Sequence, residues 1–201
     1  MNDNIKNISP IDGRYKSKTS DLNKFFSEYA LIKYRTHVEI KWLIFMLLNN
    51  IIKIQDKDKL IKKLEAISKK FNIKDAQKIK KIESVANHDV KSVEYWLREK
   101  LKKEKVIIPF IHFACTSEDI NNLSYAIALK KYIFSSHKKS TNLLVEKLCN
   151  MSVKYADAEM MSKTHGQPAS PTTMGKEISV FTYRLNRTLN QIYNIDRSEE
   201  H

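Results

Sequence analysis

The sequence predicts an all-α protein, and three features carry that expectation. Only 3 Gly and 4 Pro occur in 201 residues, too few turn formers for a fold of many short strands. Apolar residues make up 42% of the chain against 29% charged, enough to bury a core. Between the few breakers, apolar residues recur at i, i+3, i+4 and i+7, the period of an amphipathic helix.

The first break is Ile8-Ser9-Pro10-Ile11-Asp12-Gly13-Arg14-Tyr15, where a Pro and a Gly within four residues require an ordered turn. A helix is expected from about Thr19 or Ser20, carrying Leu22, Phe25, Phe26 and Tyr29, and running to about Asn50. Leu60, Leu64, Ile67 and Phe71 make a second amphipathic segment. Val90, Val93, Leu97 and Leu101 line a third, and the polar side chains of Asn87-His88-Asp89 suit its start.

The second break runs from Val106 to Ser117 and contains Pro109. Thr116 with Asp119 three residues on matches a capping box, opening a helix expected to bury Ile120, Leu123 and Ile127. Helical spacing returns at Leu144, Leu148, Met151 and Tyr155 with no strong breaker between, so one very long helix is expected. The third break, Lys163-Thr164-His165-Gly166-Gln167-Pro168-Ala169-Ser170-Pro171, cannot be helix interior. Beyond it Met174, Ile178, Phe181, Leu185 and Ile192 form the cleanest apolar face in the sequence. Long helices joined by polar loops point to a bundle with a site at its ends.

The formal net charge is +13, but 30 of the 36 basic residues are Lys and 6 are Arg. Compositional drift toward Lys, Ile and Asn accounts for this better than nucleic-acid binding, which favours Arg for bidentate base contacts. The longest apolar run, Trp42 to Ile52, is too short for a bilayer and is interrupted by Asn49 and Asn50. Neither nucleic acid nor a membrane is expected as a partner. Cys115 and Cys149 form no disulfide framework and no metal pair, and no leader is visible, so a reducing cytoplasm is expected.

The polar breaks supply the candidate chemistry, each with a plainer alternative. Arg14 and Tyr15 beside Gly13 are either a surface turn or a guanidinium and phenol gripping an anion. Asn87, His88 and Asp89 either cap a helix or offer an imidazole to a ligand oxygen, with Asp89 or a backbone carbonyl fixing its tautomer. Thr116 and Ser117 are either a cap or hydroxyls and amides that receive a carboxylate or phosphate. His165, in a stiff loop among hydroxyls, is either a hydrogen-bonded loop residue or a proton-transfer group. His37, His112, His137 and His201 lack such surroundings and are read as structural or exposed. No metal-ligand spacing, Gly-rich phosphate loop or nucleophile elbow is present.

Taken together, Ser9-Pro10-Ile11-Asp12-Gly13-Arg14-Tyr15, Asn87-His88-Asp89-Val90-Lys91-Ser92-Val93-Glu94-Tyr95, Phe113-Ala114-Cys115-Thr116-Ser117-Glu118-Asp119-Ile120-Asn121-Asn122-Leu123 and Thr164-His165-Gly166-Gln167-Pro168-Ala169 closely resemble the adenylosuccinate lyases. The likeness is to their bacterial-type branch, within the fumarase and aspartase superfamily, and runs in order from about Ser9 to about Ile195. It implies a small N-terminal helical domain at 1–106 followed at 107–201 by the first part of a central long-helix bundle. It also implies β-elimination of fumarate from adenylosuccinate and from the succinyl-carboxamide ribotide, without a cofactor, in a homotetramer. Position by position, His165 matches the general acid and Thr116 and Ser117 the substrate-contacting pair. Asn87, His88 and Asp89 match a second substrate motif, and Arg14 and Tyr15 the nucleotide-binding pair. Family members are more than twice this length, and their catalytic serine base lies downstream of these residues, so the 201-residue chain alone is expected to be inactive. Another fumarate-releasing lyase of the superfamily and a non-catalytic helical interaction module are the alternatives.

Overall fold

The computed structural model describes residues 7–195, whose regular elements are helices except for one two-stranded sheet. They form two compact units that divide between Lys131 and Tyr132.

The first unit is built around α3 (Glu28–Leu48), whose buried residues lie on more than one face, as a central helix requires. The single helix expected up to Asn50 is in fact three pieces. α1 (Lys16–Thr19) and α2 (Asn23–Phe26) flank a 3-10 turn, and the chain is extended at Ser27 (φ −76°, ψ 161°). The Ser27 hydroxyl accepts from the Ala30 amide at 3.1 Å, so a serine cap restarts the helix. α4 (Lys57–Lys70), α5 (Ile73–Ala86) and α6 (Asp89–Lys100) pack on α3. Leu43, Leu47, Leu64, Ile79, Val93, Leu97 and Leu101 are all fully buried there. Each contributes roughly 1.5–3 kcal/mol of burial, the term that holds the helices together. Val90, Val93, Leu97 and Leu101 face inward as their spacing predicts.

α7 (Ser117–Tyr132) follows, and the backbone stays helical through a π turn at Ile133–His137 into α8 (Lys138–Lys154). Ile120 is buried and Ile127 partly so, but Leu123 is 55% exposed, contrary to the expectation that all three point inward.

In the second unit α8 packs against α9 (Met174–Asn194), and Gly175 lets their backbones touch. Its amide donates to the Tyr155 carbonyl at 2.8 Å. Between these helices the third break is an antiparallel hairpin, β1 (Glu159–Thr164) with β2 (Gln167–Thr173). It has an irregularity between Met161 and Lys163. The fold class stands as all-α with this one addition.

Candidate active site

Two of the candidate motifs are assembled by α3. Asn87 ends α5 in the left-handed region (φ 51°, ψ 32°), so the chain reverses and places His88 as the N-cap of α6. His88 Nδ1 accepts from the Lys91 amide at 3.2 Å, and its carbonyl accepts from the Ser92 hydroxyl at 2.6 Å. A backbone N–H, not Asp89 or a carbonyl, therefore sets the His88 tautomer, leaving Nε2–H as the donor. Asp89 Oδ1 accepts from the Val90 amide at 2.8 Å, and Oδ2 pairs with Arg35 at 2.6 Å. Desolvation alone would raise the Asp89 carboxyl, but the Val90 amide and the Arg35 guanidinium outweigh it and hold it below the ordinary range. A groove of about 550 Å³ opens beside these residues, lined by Lys80, Glu83, Ser84, Asn87, His88 and Asp89.

Thr116 and Ser117 stand at the start of α7. Asp119 Oδ2 accepts from the Thr116 amide at 2.6 Å and from its hydroxyl at 3.1 Å, the acidic half of the expected capping box. Those hydrogen bonds lower the Asp119 carboxyl. Arg35, 5% exposed in a Lys-rich chain, ties the two motifs together. Its Nη2 meets Asp89 and its Nε donates to Asn121 Oδ1 at 2.9 Å. Below it Val38, Val90 and Ile120 form one apolar cluster, so the N-terminal turns of α6 and α7 rest on the same stretch of α3. Sequence reasoning missed Arg35. Its signal was that an arginine persists where nearly all other cations are lysine.

The Arg14–Tyr15 turn closes on itself. The Gly13 amide donates to the Ser9 carbonyl at 3.1 Å, and the Arg14 guanidinium lies 4.8 Å from the Tyr15 ring centroid, both side chains being exposed. His165 is in the second unit, at the tip of the hairpin. His165 (φ 47°) and Gly166 (φ 78°) are both left-handed, the two central residues of a type I′ turn, and the imidazole is exposed.

His112, read from the sequence as structural or exposed, is partly buried in a structural contact. Its Nδ1 lies 2.6 Å from Oε1 of the fully buried Glu39. Cys115 next to it has its thiol pushed up by burial, with Glu39 and Asp119 adding to the effect, which makes it a poor nucleophile. Among the described residues no group of His, Cys, Asp and Glu could hold a metal ion, and no helix is long and apolar enough to cross a membrane.

The long-helix architecture is shared by solved structures of known enzymes. A solved 3-carboxy-cis,cis-muconate lactonizing enzyme from Pseudomonas putida matches over 87% of this chain with a TM-score of 0.63 at 14% identity. The β-carboxy-cis,cis-muconate cycloisomerase of Acinetobacter calcoaceticus matches over 88% with a TM-score of 0.65 at 19% identity. A lyase family profile matches residues 13–200, and the chain belongs to that lyase family. Curated relatives include the adenylosuccinate lyase of Legionella pneumophila, 45% identical over 190 residues (92% of this chain), and that of Escherichia coli K12, 42% identical over 194 residues (94% of this chain). The chain spans 42% of the length of each.

Proposed function

We propose that these residues are the N-terminal part of an adenylosuccinate lyase, which eliminates fumarate from adenylosuccinate to leave AMP and acts likewise on the succinyl-carboxamide ribotide. The observation that carries this is the 45% identity to such an enzyme over 92% of the chain. In the reaction a base takes the proton from the carbon next to a carboxylate, the C–N bond breaks, and an acid protonates the departing nitrogen. His165, presented on a stiff two-residue turn, is the acid in this reading. Thr116 and Ser117 receive a succinyl carboxylate at the start of α7, where the helix dipole favours an anion. His88, with Nε2–H free to donate, and its neighbours Asn87 and Asp89 contact the substrate beside the groove. Arg14 and Tyr15 grip the phosphate. No cofactor enters this chemistry. In this reading the serine base lies outside these 201 residues, the complete enzyme is a cytoplasmic homotetramer, and the domain division falls at 106/107.

The test is fumarate release by a full-length lyase that begins with these residues. Adenylosuccinate is expected to yield fumarate and AMP, and His165→Ala to lower turnover by about a hundredfold or more with helicity retained. The 201-residue chain alone is expected to release none. Fumarate from argininosuccinate instead would move the assignment to another lyase of the superfamily.

A further inference from the structure

Glu39 lies in the middle of α3 with no exposed surface, and its Oε2 has no hydrogen-bond partner. A buried carboxylate oxygen left in this way costs about 1–3 kcal/mol or more, so stability does not explain the residue. What it touches suggests another role. Oε1 holds His112 Nδ1, and His112 is in the left-handed region (φ 62°), as is Ala114 two residues on (φ 57°). Neither is glycine, so each conformation is strained and must be held from outside. The hold comes from α3. Glu39 takes the His112 ring, and Trp42 Nε1–H donates to the Phe113 carbonyl at 2.8 Å. Arg35, one turn earlier, grips Asn121. Arg35, Glu39 and Trp42 are spaced i, i+4, i+7 and so share one face of the helix. The segment they fasten leads directly into Thr116 and Ser117.

We propose that Glu39 is a positioning residue: acting through His112, it locks the left-handed turn at 112–114 and so sets where Thr116 and Ser117 stand. Its relevance to substrate rests on the lyase reading above, whereas the lock itself does not. Glu94 of α6 faces the same carboxylate and is tied down by Lys91 at 2.7 Å and Arg98 at 2.6 Å, leaving Glu39 to His112.

The lock is tested on the 201-residue chain by nitrogen NMR of its histidines and by amide exchange. In the unaltered chain His112 Nδ1 is expected to show a protonated, hydrogen-bonded signature. Glu39→Gln is expected to shift that signature and to speed exchange at Cys115 and Thr116, whose amides donate to the His112 carbonyl and to Asp119, by about tenfold or more, with Leu97 and Leu101 unchanged. Glu39→Asp is expected to restore part of the protection. His112→Asn, at a partly exposed position, opens the lock from the other side and should speed exchange at the same two amides if Glu39→Gln does not fold. An unmoved His112 signature, unchanged exchange at Cys115 and Thr116, or a uniform acceleration across the first unit would overturn the proposal. In the full-length enzyme, Glu39→Gln is expected to raise KM about tenfold with a smaller change in kcat. Absence of lyase activity in every form, with the exchange result intact, would remove the lyase reading and leave the lock standing.

Discussion

Arg35 shows how one side chain can set the geometry of two loops. Its planar fork serves Asp89 and Asn121 from different nitrogens, which the point charge of lysine cannot do. Arg35→Lys is expected to cost roughly 1–2 kcal/mol in urea unfolding, and a value within error of zero would show the bridge to be idle. Two neighbouring carboxylates give this region a pH dependence. Burial pushes Glu94 up, but Lys91 and Arg98 more than compensate and hold it low, and Asp89 is likewise lowered. A carboxyl whose pKa is depressed on folding binds protons more readily in the unfolded chain. The stability from both groups is therefore complete above the ordinary carboxylate range and is lost as pH falls through their lowered values. The contribution of Asp89 and Glu94 should stay constant from pH 7 to about pH 5 and fall below it, so the acid-side drop in melting temperature should be shallower in Glu94→Gln. The polar residues at risk here were visible in the sequence, since Asn87 joins two helices and His88, Asp89, Thr116 and Ser117 stand at helix starts. The residues that hold them were not. Arg35 and Glu39 lie in an apolar helix whose period gives no hint that its buried charges reach residues more than fifty positions away.

At the level of elements, the departures from expectation have local causes. The break at Ser27 was written as a serine followed by Glu28, an ordinary N-cap signal, but the apolar period runs across it and masked it. α5 carries so many lysines that its buried stripe, Ala76 and Ile79, was passed over. The hairpin was hidden because two prolines within β2 argue against a strand. They are tolerated here because a two-stranded sheet has only edge strands. His165-Gly166 takes the place of the more familiar Asn-Gly pair of a type I′ turn. Gly166 has open space around it but a φ of +78°, so Gly166→Ala should cost about 1 kcal/mol through backbone strain alone. Gly175 is the opposite case. A Cβ there would run into the Ser152 carbonyl and lie 2.7 Å from the Ala156 backbone, neither of which can rotate away. Gly175→Ala should cost about 3 kcal/mol by prying α8 from α9. If thermal melts rank the two substitutions the other way, the close approach of these helices is wrong.

For the whole molecule, the two units differ in how they use their apolar residues. The first buries Leu43, Leu47, Leu64, Leu97 and Leu101 completely. The second leaves Leu143, Leu144, Phe181 and Tyr183 at least half exposed along α8 and α9. In the apolar period of α9, the clearest in the sequence, Ile178, Leu185 and Ile192 are partly buried, while Met174 and Phe181 remain on a face left open among the described residues of the unit. The lyase reading gives that face an occupant, because a tetrameric helical core is built from such surfaces. The charge supplies the discriminating experiment. With +13 per chain, copies repel one another, and salt screens the repulsion over a Debye length of about 10 Å at 0.1 M. Self-association through the apolar face should therefore strengthen as salt rises from about 50 to 200 mM, whereas binding to nucleic acid would weaken steeply over the same range. Sedimentation of the purified chain at the two salt concentrations is expected to show larger species at the higher one, and Phe181→Glu is expected to abolish the increase. Association that falls with salt would point to a polyanion partner and would revive the helical interaction module in place of the lyase.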